Sequence, residues 1–251
     1  MSNLLLHGDC LELLKNIPGA SVDLVLTDLP YGVTQNPWDS VLPLDALWEQ
    51  WHRVAKKDAS FVLFGQGMFT AKLMMSNPGE WKYNLIWDKH LPSGHLNADR
   101  QPMRIHEDIV VFQRGAPPYN PQFQAGQPLH GRGTKLAPPK NQCYGTQSGD
   151  FEDREGSTEK YPVSIVSFRK PHPSKALHPT EKAVNLLRWI ILTYTEPGAV
   201  VLDSTMGSGT TGIAAVLEGR GFVGIEIDET YFDIALRRIR EAEVDFNSRL
   251  L

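Results

Sequence analysis

A glycine-rich turn near the carboxyl end of the chain places the strongest constraint on its fold. Residues 203–212 join an apolar strand to a stretch of helical period, and they contain the pattern G-x-G-x-x-G. Glycines at such a turn let a nucleotide cofactor approach the backbone, and an acid about twenty residues later, here Glu226, accepts the ribose hydroxyls. A P-loop is excluded, because no Lys-Ser or Lys-Thr pair follows Gly212.

Most of the sheet must lie upstream of this turn, since only about forty residues follow Gly207 and they supply one more strand. Upstream, apolar runs alternate with segments of helical period, which is typical of an α/β fold with a mostly parallel sheet and helices on both faces. The order of the chain is therefore rotated relative to the usual dinucleotide fold. We predict upstream strands over residues 4–7, 22–27, 60–64, 83–87 and 107–112, the last two antiparallel to each other.

Length and composition exclude several classes of protein. The 251 residues can bury a core without disulfides, as one large domain or two small ones. Two cysteines, Cys10 and Cys143, are too few for a disulfide framework and indicate a reducing compartment. No apolar run approaches a membrane span in length, and no secretory signal is visible. The net charge of −4, taken alone, argues against a nucleic-acid partner.

The regular pattern stops from Gly115 to about Ser164, where prolines and glycines accumulate. A segment of this length without secondary structure inside a compact domain is usually functional or disordered. We therefore divide the chain into residues 1–114, an insertion at residues 115–168, and residues 169–251. A helix over residues 181–195 is predicted ahead of the glycine-rich turn.

A second turn, Asp28-Leu29-Pro30-Tyr31, follows the apolar strand at residues 22–27. Proline ends the strand because it cannot donate to the ladder. The Asp28 carboxylate and the Tyr31 ring are thereby expected at the carboxyl edge of the sheet, where open α/β folds bind ligands. Taken alone, Asp-x-Pro is also ordinary turn chemistry.

Three motifs together resemble a known family, the S-adenosylmethionine-dependent amino-methyltransferases of DNA. The turn at Asp28 resembles their (Asp/Asn/Ser)-Pro-Pro-(Tyr/Phe) catalytic motif. Residues 203–211 resemble their Asp-Pro-Phe-x-Gly-Ser-Gly-Thr-Thr cofactor motif, and residues 178–182 resemble His-Pro-Thr-(Glu/Gln)-Lys-Pro. This order, with an irregular insertion between the catalytic and cofactor motifs, is typical of the β class. The resemblance covers nearly the whole chain outside the insertion, and it implies a circularly permuted Rossmann-like methyltransferase fold.

The motifs depart from the family pattern at three places. Leu29 and Ala183 each replace a proline, and Ser204-Thr205 replaces Pro-Phe. Family members use the backbone carbonyl at the position of Leu29, and leucine still supplies one. We expect activity to survive in a less rigid catalytic turn, and the Ser204-Thr205 pair to loosen the packing against the cofactor.

The resemblance implies transfer of a methyl group from S-adenosyl-L-methionine to the N6 amine of adenine in a specific DNA sequence. In the β class, Asp in the first position of the catalytic motif is associated with adenine and Ser with the cytosine amine. Asp28 and the Leu29 carbonyl would accept the two N–H groups, and Tyr31, beyond Pro30 in the same turn, would stack on the flipped base. Such catalysis depends on positioning and electrostatics. No metal site is predicted, because methyl transfer needs none and the histidines and cysteines lack ligand spacing.

The resemblance also assigns the cofactor contacts. Asp9, beside Cys10, would bind the adenine amine of the cofactor, Glu226 the ribose hydroxyls and Asp203 the methionine end. The other predicted cofactor residues are Asp28, Thr180, Lys182, Met206, Gly207, Ser208, Gly209, Thr210, Thr211 and Ile227. Simpler roles stay open, since Asp9 or Thr180 can cap a helix and Lys182 can be a solvated charge. Trp87-Asp88-Lys89 lies where the family often has a loop beside the target pocket.

The insertion is the target-recognition region in the β class. Residues 109–149 contain no aspartate or glutamate. Cations for phosphates and rings for stacking are what a contact with DNA requires. The predicted DNA-binding residues are Arg114, Arg132, Lys135, Lys140, Tyr144 and Lys170. The family further implies double-stranded DNA as the partner, a cytoplasmic enzyme encoded by a bacterium or phage, and a homodimer as one assembly.

Three other functions remain open on the sequence. The first is the same enzyme class acting on cytosine N4. The second is a non-catalytic DNA-binding protein that responds to S-adenosylmethionine, which Leu29 and the altered cofactor turn suggest. The third is a nicotinamide-dependent oxidoreductase, which the pattern G-x-G-x-x-G alone would allow.

Overall fold

The structure is a computed structural model, and it describes residues 3–32, 41–128, 156–170 and 181–248. Ten strands lie in these ranges. In chain order they are β1 (Leu4–His7), β2 (Val22–Thr27), β3 (Ala55–Gly65), β4 (Trp81–Ser93), β5 (Arg104–Arg114), β6 (Gln124–Ala125), β7 (Glu159–Lys160), β8 (Ile165–Ser167), β9 (Val200–Asp203) and β10 (Gly221–Glu226).

Six α-helices alternate with these strands. They are α1 (Cys10–Leu13), α2 (Leu44–Val54), α3 (Met68–Ser76), α4 (Val184–Tyr194), α5 (Thr210–Leu217) and α6 (Glu229–Ser248). Two short 3-10 turns, Leu14–Asn16 and His95–Asn97, complete the regular structure of the described residues. No helix in the described ranges has the length and apolar character needed to cross a bilayer.

Eight strands form one sheet in the order β1-β10-β9-β2-β3-β5-β4-β8. All neighbouring pairs are parallel except β3–β5 and β4–β5, because β5 alone runs in the opposite direction. The predicted antiparallel pairing of the last two upstream strands is therefore confirmed. The carboxyl ends of the other seven strands lie at one edge, which we call the carboxyl edge.

Two hydrophobic clusters cover the two faces of the sheet. One face packs against the last three helices, with Leu187 and Ile190 of α4, Ala214 of α5 and Ile239 of α6 in its core. The other packs against the first three, with Trp51 of α2 and Leu73 of α3 fully buried. This confirms the predicted α/β architecture with helices on both faces.

The two halves of the chain meet in the middle of the sheet, where β2 pairs with β9. Leu24 lies opposite Val201 and Val25 opposite Leu202. Since both strands end at the carboxyl edge, the turn after β2 and the turn after β9 are neighbours. A rotated chain order thus brings together two motifs that are far apart in the sequence.

The chain divides into two compact units, Met1–Asn120 with Ser164–Leu251, and Pro121–Val163. The predicted insertion, residues 115–168, extends beyond the second unit on both sides, and Ile165–Ser167 pairs with β4 in the main sheet. The Trp87 indole N–H also donates to the Phe168 carbonyl over 2.7 Å. In the second unit, Gln124–Ala125 pairs with Glu159–Lys160 as a two-stranded ladder that the sequence pattern did not indicate.

Helix α4 begins later than predicted. Its N-cap is Ala183, and Glu181 and Lys182 lie ahead of the helix, outside regular secondary structure. The alternative role of Thr180 as a helix cap concerns a residue outside the described ranges, and Glu181 does not lie in the first turn of α4. The side chains of Glu181 and Lys182 are instead buried.

Candidate active site

A cavity of about 430 Å³ opens at the carboxyl edge, between the turn after β2 and the turn after β9. This volume lies in the range of roughly 300–1,000 Å³ that is usual for sites of small molecules. The cavity brings together most of the predicted catalytic and cofactor residues: Asp9, Cys10, Asp28, Leu29, Pro30, Tyr31, Lys182, Asp203, Met206, Gly207, Ser208, Thr210, Thr211, Glu226 and Ile227.

Both carboxylate oxygens of Asp28 accept hydrogen bonds. The Tyr31 hydroxyl donates to Oδ1 over 2.7 Å, and the Lys182 ammonium donates to Oδ2. Burial and the charge of Asp28 raise the pKa of Tyr31 well above its usual value, so the hydroxyl remains a donor. A carboxylate held in this way can still accept on its remaining lone pairs.

A chain of hydroxyls joins the catalytic turn to the glycine-rich turn. The Thr205 hydroxyl donates to the Asp28 carbonyl over 3.0 Å and lies 2.9 Å from the Thr27 hydroxyl. Thr27 in turn donates to Asp203 Oδ1 over 2.8 Å. The Ser204-Thr205 pair, which we expected to loosen this region, thus supplies a hydrogen bond that phenylalanine could not make.

Asp203 is buried at the end of β9 and organises the glycine-rich turn. Its Oδ1 accepts from Thr27 and from the Thr205 amide, and its Oδ2 accepts from the Thr211 hydroxyl over 2.6 Å. Burial raises the pKa of Asp203 to about 6, although these donors oppose the shift. A carboxylate has about four acceptor positions. The described part of the chain therefore leaves one on Oδ2 that a ligand can use.

Glu226 ends β10 and faces the same cavity. Its Oε2 accepts from the Gly207 amide over 2.8 Å, and its Oε1 from the Asp228 amide over 2.9 Å. Burial raises its pKa, and these backbone amides act in the opposite direction. Both oxygens keep acceptor capacity, which fits a residue that binds hydroxyl groups.

Asp9 and Cys10 form the cavity wall at the start of α1. Asp9 caps this helix, since its Oδ1 accepts from the Leu11 amide over 2.8 Å and from the Glu12 amide. The cap and a ligand contact are compatible, because both capping bonds use one oxygen. Burial and the charge of Asp9 raise the pKa of the Cys10 thiol to about 11, which keeps it protonated and unreactive.

Gly209 differs from the other predicted cofactor residues because it serves packing. Its φ is +80°, and an added Cβ would lie 2.8 Å from the Ala235 Cβ of α6. Arg238 of α6 donates to the Ser208 carbonyl over 2.7 Å and to the Glu181 carboxylate over 2.7 Å. The glycine-rich turn is therefore held by contacts from α6.

A buried ion cluster borders the cavity at the catalytic turn. Glu107 of β5 accepts from the Lys89 ammonium over 3.0 Å, and its other oxygen lies 3.3 Å from the Lys182 Nζ. Burial alone would raise the pKa of Glu107, but the two ammonium charges outweigh it and hold this pKa at about 2. Lys170 also lines the cavity, and its pKa is lowered by burial and by the Lys182 charge.

The predicted DNA-binding residues divide into three groups. Lys170 lies in the cavity wall. Arg114 lies at the opposite edge of the sheet, because β5 is antiparallel, and its guanidinium donates to the His52 carbonyl over 2.8 Å. Arg132, Lys135, Lys140 and Tyr144 lie outside the described residues, as does Thr180 among the cofactor predictions.

Sequence reasoning missed several residues of the cavity wall: Gly8, Leu42, Gln66, Glu107, Glu181, Leu187, Ser204, Thr205 and Tyr231. Glu107 gave one signal, since a charged residue opening an apolar strand needs a partner when it is buried. Glu181 gave another signal, since it is the neighbour of Lys182.

The carboxyl edge also carries an exposed hairpin, in which Leu96, Arg100 and Arg104 are solvent-accessible.

The chain is similar to known proteins in sequence and in fold. The sequence model of the family described as DNA methylase matches residues 22–237. DNA adenine methyltransferase YhdJ of Escherichia coli (strain K12) is 30% identical over 254 residues, covering 94% of this chain and 82% of YhdJ. The solved M1.HpyAVI–SAM complex has a TM-score of 0.62 at 22% identity, covering 94% of this chain and 100% of that chain. The PvuII DNA methyltransferase, which is cytosine-N4-specific, has a TM-score of 0.69 at 18% identity, covering 99% of this chain and 93% of that chain. Both solved structures share the fold of this chain.

Proposed function

The chain belongs to the DNA methylase family, and we propose that it transfers a methyl group to the N6 amine of a flipped adenine in double-stranded DNA. The methyl donor is S-adenosyl-L-methionine. One observation carries the proposal: a single cavity is lined both by the Asp28 turn and by the glycine-rich turn, so donor and acceptor groups can meet there.

The residues present fit this cofactor. The remaining acceptor position on Asp203 suits an ammonium group, Glu226 suits the ribose hydroxyls, and the turn at Gly207 offers backbone beside the cavity. When bound, the cofactor supplies an electrophilic methyl group on a sulfonium. The protein's own part is to bind, to exclude water and to aim the amine of the target base.

Asp28 is the group proposed to aim that amine. The lone pair of an exocyclic amine is delocalised into the ring, so acceptors on its N–H bonds favour the pyramidal nitrogen that can react. The Asp28 carboxylate and the Leu29 carbonyl would be those acceptors, while the Tyr31 ring, which packs 4.8 Å from the Phe69 ring, would stack on the base. Catalysis of this kind requires geometry and a fixed negative charge.

Adenine is the proposed target base. Asp28 stands where the β class has aspartate in adenine-specific members, and YhdJ is named a DNA adenine methyltransferase. Cytosine N4 is not favoured, and the likeness to the PvuII enzyme is one of fold. Membership of the family also disfavours a nicotinamide-dependent oxidoreductase.

To test this function, the protein is incubated with labelled cofactor and DNA of varied sequence. The DNA is then digested and its nucleosides are separated. We expect label in N6-methyladenine with the wild type and with Asp45→Asn, an exposed aspartate of α2, and its loss with Asp28→Asn. Label in N4-methylcytosine would move the target to cytosine. No label with any DNA, while the cofactor still binds, would favour a non-catalytic DNA-binding protein.

Two further proposals concern the surroundings of the enzyme. A homodimer is proposed because a recognition unit of the size of Pro121–Val163 gains DNA contacts from a second copy, and sedimentation with and without DNA tests it. A cytoplasmic location is proposed because the substrate is DNA and the relative YhdJ is bacterial. Cell fractionation with an antibody to the chain tests that location.

A further inference from the structure

We propose that Glu107 is a positioning residue for Asp28 and acts through Lys182. The proposal rests on the proposed function, in which Asp28 aims the target amine. Glu107 forms an ion pair with the ammonium of Lys182, and that ammonium donates a hydrogen bond to the Asp28 carboxylate. The direction of the lone pairs that would receive the amine is thereby set by a residue outside the catalytic motif.

The three side chains form a continuous buried series. Only 10% of the Glu107 side chain and 8% of the Lys182 side chain are exposed, and 21% of the Asp28 side chain is exposed. One Glu107 oxygen lies 3.3 Å from the Lys182 Nζ, which in turn donates to Asp28 Oδ2. Positive and negative charges therefore alternate from the centre of the sheet to the catalytic turn.

Glu107 is the rigid member of this series. It lies in β5, opposite Trp87 of the neighbouring strand, and its second oxygen is bound by Lys89 over 3.0 Å. Lys182 lies ahead of α4, outside regular secondary structure, and has a long flexible stem. Its Nζ is 4.8 Å from the centre of the Phe64 ring, an apolar setting in which an ammonium needs fixed anionic partners.

Two anions, Glu107 and Asp28, share the Lys182 ammonium. With Glu107 present, the ammonium lies between them and approaches Asp28 from one side. Without the Glu107 charge, Asp28 would be the remaining anion beside it among the described residues, and the carboxylate would rotate to follow the ammonium. Tyr31 bonds only the other oxygen, so it cannot fix the carboxylate plane alone.

The charges of Glu107 and Lys182 agree with this role. The Lys182 and Lys89 ammonium groups hold the pKa of Glu107 at about 2 against its burial, so it is ionised at any working pH. Burial lowers the pKa of Lys182, but the charges of Asp28 and Glu107 outweigh it and the net shift is upward. Loss of the Glu107 charge should therefore let Lys182 deprotonate at a lower pH.

The test compares Glu107→Gln with Glu218→Gln in the full-length enzyme. Glu218 is a matched control, because 12% of its side chain is exposed and it pairs with Arg188 away from the cavity. For E107Q we expect a fall in kcat of about ten- to a hundred-fold, with KM for DNA and the affinity for S-adenosylhomocysteine held within about two-fold. The alkaline limb of the pH–kcat profile should move to lower pH, and E218Q should leave all of these unchanged.

Two additional variants separate positioning from folding. Glu107→Asp keeps the charge on a shorter stem, so its alkaline limb should lie near that of the wild type while kcat falls less than in E107Q. In the Lys182→Met background, Glu107→Gln should change kcat by less than about two-fold, because residues that act through one another are not additive. If E107Q does not fold, E107D and the double variant decide the matter.

A crystal structure of E107Q gives a readout that does not depend on methyl transfer. We expect the Asp28 carboxylate to be rotated and Lys182 to be displaced. The proposal is overturned if both superpose on the wild type, if E107Q keeps its kcat, or if kcat and the affinity for S-adenosylhomocysteine fall together. A wild-type enzyme that methylates no DNA would refute the proposed function, and the crystal structure would still decide the role of Glu107.

Discussion

Replacement of Arg238 by leucine tests whether α6 holds the glycine-rich turn in its binding shape. The guanidinium makes three hydrogen bonds of 2.9 Å or less, to the Ser208 carbonyl, the Ser208 hydroxyl and the Glu181 carboxylate. A leucine at this position keeps part of the apolar stem of arginine and loses all three hydrogen bonds. Glu181, whose side chain is only 6% exposed, would lose its contact with the Arg238 guanidinium.

The expected magnitude follows from this burial. Breaking a buried ion pair by removing one partner costs about 3–5 kcal/mol, because the other charge remains buried. Since 15% of the Arg238 side chain is exposed, we expect the lower end, about 3 kcal/mol of unfolding free energy. For a chain of 251 residues this lowers Tm by about 6–12 °C. The affinity for S-adenosylhomocysteine should fall about ten-fold, since the Ser208 segment loses its anchor.

Thermal unfolding and titration calorimetry with S-adenosylhomocysteine measure the two effects. Arg237→Leu is the matched control, because it alters the preceding residue of the same helix, whose side chain is exposed. Combining Arg238→Leu with Glu181→Gln should recover about 1–3 kcal/mol, because the buried carboxylate that Arg238 no longer contacts becomes a neutral amide. The reasoning fails if Arg238→Leu behaves like Arg237→Leu, or if the double variant is less stable than the single one.

Three further predictions concern other parts of the cavity. Asp203 has its pKa raised to about 6 by burial, so the stability contributed by its neutral form is complete below about pH 4 and lost as the pH rises through 6. Asp203→Asn should therefore gain about 3 kcal/mol relative to the wild type between pH 4 and pH 7 in denaturant unfolding, and a constant difference would contradict this. Gly209→Ala should lower the unfolding free energy by about 1–3 kcal/mol, because φ is +80° and the new Cβ would lie 2.8 Å from that of Ala235. Gly79→Ala, where an added Cβ meets no atom within 4 Å, is its control, and equal losses would refute the argument. Lys170→Met should weaken DNA binding on all sequences and lower the salt slope by about one, and an unchanged slope would show that Lys170 contacts no phosphate.

The sequence predicted the fold well because periodicity and turn chemistry are local signals. Strands β2, β9 and β10 and their order around the glycine-rich turn could be predicted from apolar runs that end in Asp, Gly or Glu. The start of α4 could not, because in isolation Glu181 suits a first helical turn and Lys182 is a good helix former. Tertiary partners override that preference, since Arg238 binds one and Asp28 the other.

The candidate site was predicted in part for the same reason. Motif residues are contiguous, so Asp28 and Gly207 could be identified from neighbouring letters. Residues that act on the motifs from elsewhere, such as Glu107 and Arg238, carry no local pattern of their own. The position of Arg114 could not be predicted either, because the sequence does not show that β5 runs antiparallel and ends at the edge of the sheet opposite the cavity.

The replacement of proline by Leu29 in the catalytic turn is compensated by contacts that hold Asp28 in place. Proline would fix one backbone dihedral angle at this position. Here the same stretch of chain is fixed through Asp28, whose carbonyl accepts from Thr205 and whose two carboxylate oxygens accept from Tyr31 and Lys182. Leu29 is 3% exposed and packs in the cluster that contains α2. Its side chain therefore buries more apolar area than a proline ring would. Rigidity at Asp28 is thus a property of the surrounding network. Loss of any one tie to Asp28, above all Lys182, should therefore cost this enzyme more than it would cost a relative with two prolines in the turn.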